Sequence, residues 1–243
     1  MIVLVTDFGL ESPYVGQMKA VLLKAFSTVN IVDLFHNIPA FNVRIAATLL
    51  AAYFIDFPEN SIFLCVVDPQ VGSSVDPVVV YAHKRWFVGR NNGLFNVLIA
   101  SDKQAKLWRL PVDPDKILSN SFHGRDLFAP FAAQLALNGL PDSLELLPRP
   151  KICNDLLDYP WTIYIDHYGN VMTGIRAKTL PQNAKLMIQS HQLIRARTFS
   201  ECAVGQQFWY ENANGLAEIA VNQGNSARIL GLTVGLPVQI LTV

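Results

Sequence analysis

Charge is scarce in this chain. Of 243 residues only 16% are Asp, Glu, Lys or Arg, and 19 basic side chains balance 19 acidic ones. A net charge of zero creates no global field that would gather nucleic acid or an anionic bilayer, and no local Lys/Arg cluster supplies one. Cysteine is scarce as well. Cys65, Cys153 and Cys202 are odd in number and lack CxxC spacing, which suits a reducing cytoplasm rather than a disulfide framework or a zinc site. Apolar runs are broken by Asp, Asn, Pro or Gly well short of the ~20 residues that span a bilayer. The opening Met-Ile-Val-Leu-Val-Thr-Asp has neither a basic n-region nor a small-residue cleavage site, so no signal peptide is expected. A GxGxxG fingerprint, a GxxxxGK[ST] loop, internal repeats and coiled-coil heptads are also missing.

What is plentiful is apolar side chain, 51% of the sequence. That excludes intrinsic disorder, and the length allows one large domain or two smaller ones with a substantial core. The pattern predicts two. Residues 1–148 alternate strand and helix: apolar runs at 2–6, 30–34 and 62–67 read as buried strands. Val15, Met18, Val21, Leu22 and Ala25 recur at helical spacing behind Ser12-Pro13, which looks like an N-cap followed by proline at the first helical position, and segments 43–54 and 126–137 are also helical. This is an α/β domain with a mainly parallel sheet. Residues 149–160 hold Pro150 and Pro160 without periodicity and read as a linker. Residues 161–243 offer short strand-like runs separated by Asn/Gly turns, a smaller all-β, barrel-like domain.

Three polar positions stand out in the first domain. Asp7 follows the first strand, and Asp68, in DPQVG, follows the third; open α/β sheets bind ligands at such carboxyl ends, although either Asp could simply cap its turn. His123, in FHGRD, precedes a helix, where it suits acid/base work or anion capture, or a purely structural role. TDFG and HGRD superficially resemble kinase elements, but their order is reversed and no VAIK lysine exists. In the second domain, YIDHYGN combines Asp166, Tyr168 and Asn170. An Asn can read a base edge while a Tyr stacks on its face, or the segment can be an ordinary strand running into a turn.

Taken in order, TDFG, DPQVG, NNGL, FHGRD, YIDHYGN and GLAEIAVNQGN resemble the S-adenosyl-L-methionine (SAM) hydroxide adenosyltransferase family, the hydrolase relatives of the SAM-dependent fluorinase and chlorinase. The resemblance spans nearly the whole chain. It implies a cofactor-independent and metal-independent hydrolysis of SAM to adenosine and L-methionine by water or hydroxide attacking C5′. Asp68 and His123 would be catalytic. Asp7 would hold the ribose hydroxyls, Phe41 would line the ribose pocket, and Asp166 would bind the methionine ammonium. Asn170 and Asn222 would read adenine, with Tyr168 and Phe199 as stacking faces. The resemblance also implies a cytoplasmic homotrimer with its site at a subunit interface, and no nucleic-acid or membrane partner.

Two departures qualify it. The family's Asp–Arg–His triad draws its Arg from just after the DPGVG motif, and here Val75 stands at that position while Gln70 replaces a glycine. Arg90 or Arg125 would have to stand in; failing that, the chain would be a SAM or adenosine binder without turnover. Ala213-Asn214 stands where the family tends to carry a Ser at the methionine end. Asp68 itself argues against a chlorinase, because a carboxylate repels halide. Residues 80–90 leave no room for the fluorinase's inserted loop.

Overall fold

β1 (Ile2–Thr6) and β3 (Ile62–Val66) are buried along their whole length, which is why they read as unbroken apolar runs. They sit side by side near the middle of a seven-stranded sheet in a computed structural model that describes residues 1–112, 118–152 and 154–241. Cys153 lies outside the described residues. The chain divides into two compact units, Met1–Asn154 and Asp155–Val243.

In the first unit β1 is followed by α1 (Tyr14–Ala25), β2 (Ile31–Phe35), α2 (Val43–Tyr53), β3, β4 (Pro77–Ala82), β5 (Arg85–Arg90), α3 (Asn96–Ser101), β6 (Lys106–Arg109), α4 (Ala129–Asn138) and β7 (Leu146–Leu147). The strand order is β2-β1-β3-β5-β4-β6-β7. The first three pairings are parallel and the last three antiparallel, so the sheet is mixed. β4 returns into β5 through a two-residue turn in which His83 and Lys84 both have positive φ, 49° and 62°. That tight hairpin leaves no insertion between the strands.

On one sheet face Ile2, Leu4, Leu64 and Val88 pack with Met18 and Leu22 of α1 and with Phe131, Ala132 and Leu135 of α4. Alternation sends Phe63 and Phe87 to the other face, where they stack at 5.0 Å and meet Phe54 and Phe95.

Helix boundaries moved where side chains found other partners. Ser12 does not cap α1; its hydroxyl donates to the Phe8 carbonyl over 2.6 Å, and the helix begins after Pro13. Asn42 does cap α2, accepting from Ile45 N–H over 3.0 Å. The expected 126–137 helix begins instead as a π-helical turn, Gly124–Phe128, that runs into α4 and stops at Gly139.

The second unit contains β8 (Tyr159–Ile165), β9 (Val171–Arg176), β10 (Lys185–Ile188), β11 (His191–Leu193), β12 (Gln207–Glu211), β13 (Leu216–Val221), α5 (Ser226–Leu230) and β14 (Gln239–Leu241). They form two antiparallel sheets, β12-β13-β9-β8 and β11-β10-β14. Trp209 is fully buried in the core, its indole N–H donating to the Ala184 carbonyl over 3.1 Å.

Candidate active site

Because β1, β2, β3 and β5 run parallel, their carboxyl ends lie along one sheet edge, and the polar residues after them converge there. Asp7 follows β1, Asp68 lies two residues beyond β3, and Arg90 is the last residue of β5. His123 enters from the turn before α4. Asp7, Phe41, Asp68 and His123 all line a cavity of about 580 Å³ walled by Phe8, Tyr14 and Phe122. Those three rings contact one another at 5.2–5.8 Å, a rigid apolar wall.

Asp7 Oδ2 accepts the Phe41 backbone N–H over 2.8 Å. Burial pushes the Asp7 carboxyl above its ordinary value, the Phe41 N–H pulls it back, and the nearby Asp68 charge pushes it up again. Behind β1, Thr6 Oγ1 bonds His36 Nδ1 over 2.8 Å, and His36 Nε2 bonds Asp33 over 2.9 Å, fixing the loop that carries Phe41 to the base of the sheet.

Asp68 and His123 are joined by one guanidinium. Arg90 is 3% exposed; its Nε donates to Asp68 Oδ2 over 2.9 Å and its Nη2 to His123 Nδ1 over 2.7 Å. Its Nη1 donates to the Val75 carbonyl. Asp68 Oδ1 accepts the Gln70 N–H over 3.1 Å. Burial holds the His123 imidazolium pKa below the usual value, and the Arg90 charge adds to that against Asp68 and Asp126. Arg125 is committed elsewhere. It grips both oxygens of Asp126 at 2.6 and 2.9 Å and donates to Gln17 over 3.0 Å.

The NNGL motif is structural: Asn92 Nδ2 donates to the Val67 carbonyl over 3.0 Å, tying the loop after β5 to the one after β3.

In the second unit Asp166, Tyr168, Asn170, Phe199 and Asn222 all line a single pocket of about 670 Å³. Asp166 receives both the Asn170 backbone N–H, at 2.8 Å, and its side-chain amide, at 3.0 Å. Asn222 Nδ2 donates to the Cys202 carbonyl over 2.8 Å. Tyr168 is 75% exposed, whereas Phe199 packs edge-on to Tyr210 at 5.2 Å. Tyr210 lines this pocket too and was not expected from the sequence; its place at alternate positions with Phe208 on β12 was the available signal. Its hydroxyl donates to the buried Glu218 over 2.5 Å, and Asn212 donates to the other carboxylate oxygen over 2.8 Å. Burial pushes the Glu218 carboxyl up, against these two bonds.

Among the described residues no cluster of His, Cys, Asp or Glu could hold a metal ion, and no helix is long and apolar enough to cross a membrane.

Comparison with known proteins covers both units. The SAM hydroxide adenosyltransferase N-terminal domain matches residues 2–145 and the C-terminal domain of the same family residues 161–239. A Thermus thermophilus protein named (R)-S-adenosyl-L-methionine hydrolase is 34% identical, with 97% of each chain covered. One of the same name from Salinispora tropica is 31% identical over 95% of this chain and 93% of its own. A fluorinase from Nocardia brasiliensis is more distant, at 24% over 99% of this chain and 96% of its own. Among solved structures, an uncharacterized conserved protein from Thermotoga maritima superposes with a TM-score of 0.87 at 29% identity, covering 99% of this chain and all of its own.

Proposed function

Because the chain belongs to the SAM hydroxide adenosyltransferase family, we propose that it hydrolyses SAM to adenosine and L-methionine. A water oxygen attacks C5′ of the ribose, the C5′–S bond breaks, and its electron pair goes to sulfur, which leaves as the neutral thioether of methionine. The water proton passes to Asp68 and from there to solvent. Since the sulfonium is its own leaving group, the reaction as written balances without a cofactor or metal. The protein's task is to hold water in line with the C5′–S bond and strip part of its hydration.

The observation that carries this reading is Asp68 and His123, bridged by Arg90, lining an aromatic-walled cavity that also holds Asp7. A carboxylate beside the nucleophile suits water and disfavours halide. Asp7 can accept from both ribose hydroxyls, and Phe41 offers a face to the sugar. The second unit's pocket suits the remainder of SAM: Asp166 for the ammonium, Asn170 and Asn222 for the adenine edge, Tyr168 and Phe199 for stacking.

Two finer assignments complete the proposal. The chain works as a homotrimer, with the first unit's cavity and a neighbouring subunit's second-unit pocket closing on one SAM. It resides in the cytoplasm, a reducing compartment that suits the buried, free Cys65 and Cys202.

Incubating purified protein with SAM and following products by chromatography tests the reading. Adenosine and methionine in equal amounts are expected. SAM binding without adenosine would leave a non-catalytic binder, and chloroadenosine that requires added chloride would make it a chlorinase.

A further inference from the structure

We infer that Arg90 is the guanidinium of this chain's Asp–Arg–His constellation, supplied from the end of β5 rather than from the loop after DPQVG, and that it fixes His123 as a neutral hydrogen-bond donor. The inference rests on the hydrolase reading.

The relocation follows from sheet geometry. Ile62, Phe63 and Leu64 of β3 pair with Trp86, Phe87 and Val88 of β5. Continuing that register sets Arg90 beside Val66, two residues before Asp68. A long side chain at the last position of β5 therefore reaches the same edge that a residue at 75 would approach from the loop. Position 75 still takes part, but through its backbone: the Val75 carbonyl accepts from Arg90 Nη1. With Nε on Asp68, Nη1 on Val75 and Nη2 on His123, the fork is pinned at three points and almost wholly buried. Arg90 is absent from the cavity lining and acts only through its neighbours, which makes it a positioning residue.

The bond to His123 determines that ring's chemistry. A guanidinium has donors only, so His123 Nδ1 must accept and carries no proton. The ring's one proton then sits on Nε2, so in its neutral form His123 donates rather than accepts at that atom. His123 thus orients the water oxygen by donation, and the proton lost from water goes to Asp68. Burial and the Arg90 charge both oppose imidazolium formation, in keeping with this division of labour.

Two measurements test this. In protein labelled with ¹⁵N-histidine, the His123 resonances, assigned by their loss in His123→Gln, should report the Nε2–H tautomer in the wild type. A protonated Nδ1 in the neutral ring would overturn the inference. In kinetics, Arg90→Ala should lower kcat by about 10²-fold or more with KM within a few-fold, as removal of a group that organises transition-state charge does. It should also move the acid limb of kcat/KM to higher pH, because the charge opposing His123 protonation is gone. A kcat within threefold of wild type, or an unmoved limb, would overturn it. If Arg90→Ala does not fold, Arg90→Lys decides: a lysine keeps the charge but cannot hold both partners at once, so kcat should fall while the protein stays folded. Val75→Arg in the wild-type background should not raise turnover, since the guanidinium site is filled; a several-fold gain would mean that it is vacant. Failure of the hydrolase reading itself is distinguishable, because wild-type protein would then release no adenosine while the tautomer measurement stands.

Discussion

The Phe41 backbone N–H donates to Asp7 Oδ2 over 2.8 Å from a left-handed conformation, φ 64°, while the Phe41 ring stays 72% exposed at the cavity mouth. A bulky residue at positive φ costs on the order of 1–3 kcal/mol and persists only where its surroundings enforce it. The Pro39–Asn42 turn, closed by the Asn42 N–H on the Pro39 carbonyl over 3.1 Å, and the Asp7 carboxylate together hold it there, so the diol acceptor and the aromatic lip are tied to each other. Phe41→Gly should relieve the strain and lose the lip. A Tm equal to or above wild type together with a raised KM for SAM is expected, from calorimetry and steady-state kinetics. A lowered Tm would mean that the ring packs for stability.

Asp7 itself is held against its solvation. Burial raises its pKa in the folded state, so ionised Asp7 opposes folding at neutral pH, and that opposition is relieved as pH falls through the raised value. Asp7→Asn keeps an acceptor for Phe41 but removes the charge. It should leave Tm unchanged or higher and raise KM by about 10-fold or more, the usual loss when a charged hydrogen bond to a ligand is replaced. An unchanged KM would rule out the diol role.

Asp68→Ala should reduce kcat by about 10²–10⁴-fold, the range for a positioned proton acceptor. SAM should still bind, because the ribose, ammonium and adenine contacts lie elsewhere. Calorimetric titration of the variant with SAM checks the second part, and loss of binding would make Asp68 a substrate ligand instead.

Much of this site was legible because strand-end carboxylates depend only on local pattern: apolar runs at 2–6 and 62–67 end in Asp7 and Asp68. Asp166, Tyr168, Asn170, Phe199 and Asn222 line one pocket, although Phe199 and Asn222 were singled out only through the family resemblance. Arg90 was harder. Its value comes from β5 lying beside β3, a pairing between strands separated by the β4 excursion, and no local periodicity encodes that neighbour. β6 and β9 are hard to read locally for a related reason, since Lys106–Arg109 and Val171–Arg176 carry polar or glycine positions that cross-strand pairing tolerates. The antiparallel part of the sheet was only partly legible: the His83-Lys84 turn reads locally as a hairpin, but nothing local sets β6 beside β4 or β7 beside β6.

Gly89 is the backbone counterpart of Arg90. A Cβ there would stand 2.5 Å from the Cys65 carbonyl oxygen and 3.0 Å from the Phe95 ring, so β5 would have to move away from β3. Gly89→Ala should cost about 2 kcal/mol or more, a Tm drop of a few degrees for a protein of this size, and should lower kcat because Arg90 is displaced with the strand. Thermal unfolding followed by circular dichroism, with kinetics on the same sample, checks both. A stable variant with normal kcat would show that the two strands can separate without consequence.

The proposed trimer makes a prediction that no single-chain site can imitate. Asp68→Ala removes the catalytic carboxylate of the first unit, and Asp166→Ala removes the ammonium carboxylate of the second; each homotrimer should be nearly inactive. Co-expressed with different affinity tags and purified through both, the mixed trimers contain both variants. If each site joins the first unit of one subunit to the second unit of its neighbour, every mixed ring holds one interface where both contributing units are intact. Such trimers should recover about one third of wild-type activity per trimer. If each site is built within one chain, every site carries one of the two lesions and activity stays at the level of the parents. Light scattering on the same preparation fixes the subunit number, and any state other than three removes the premise.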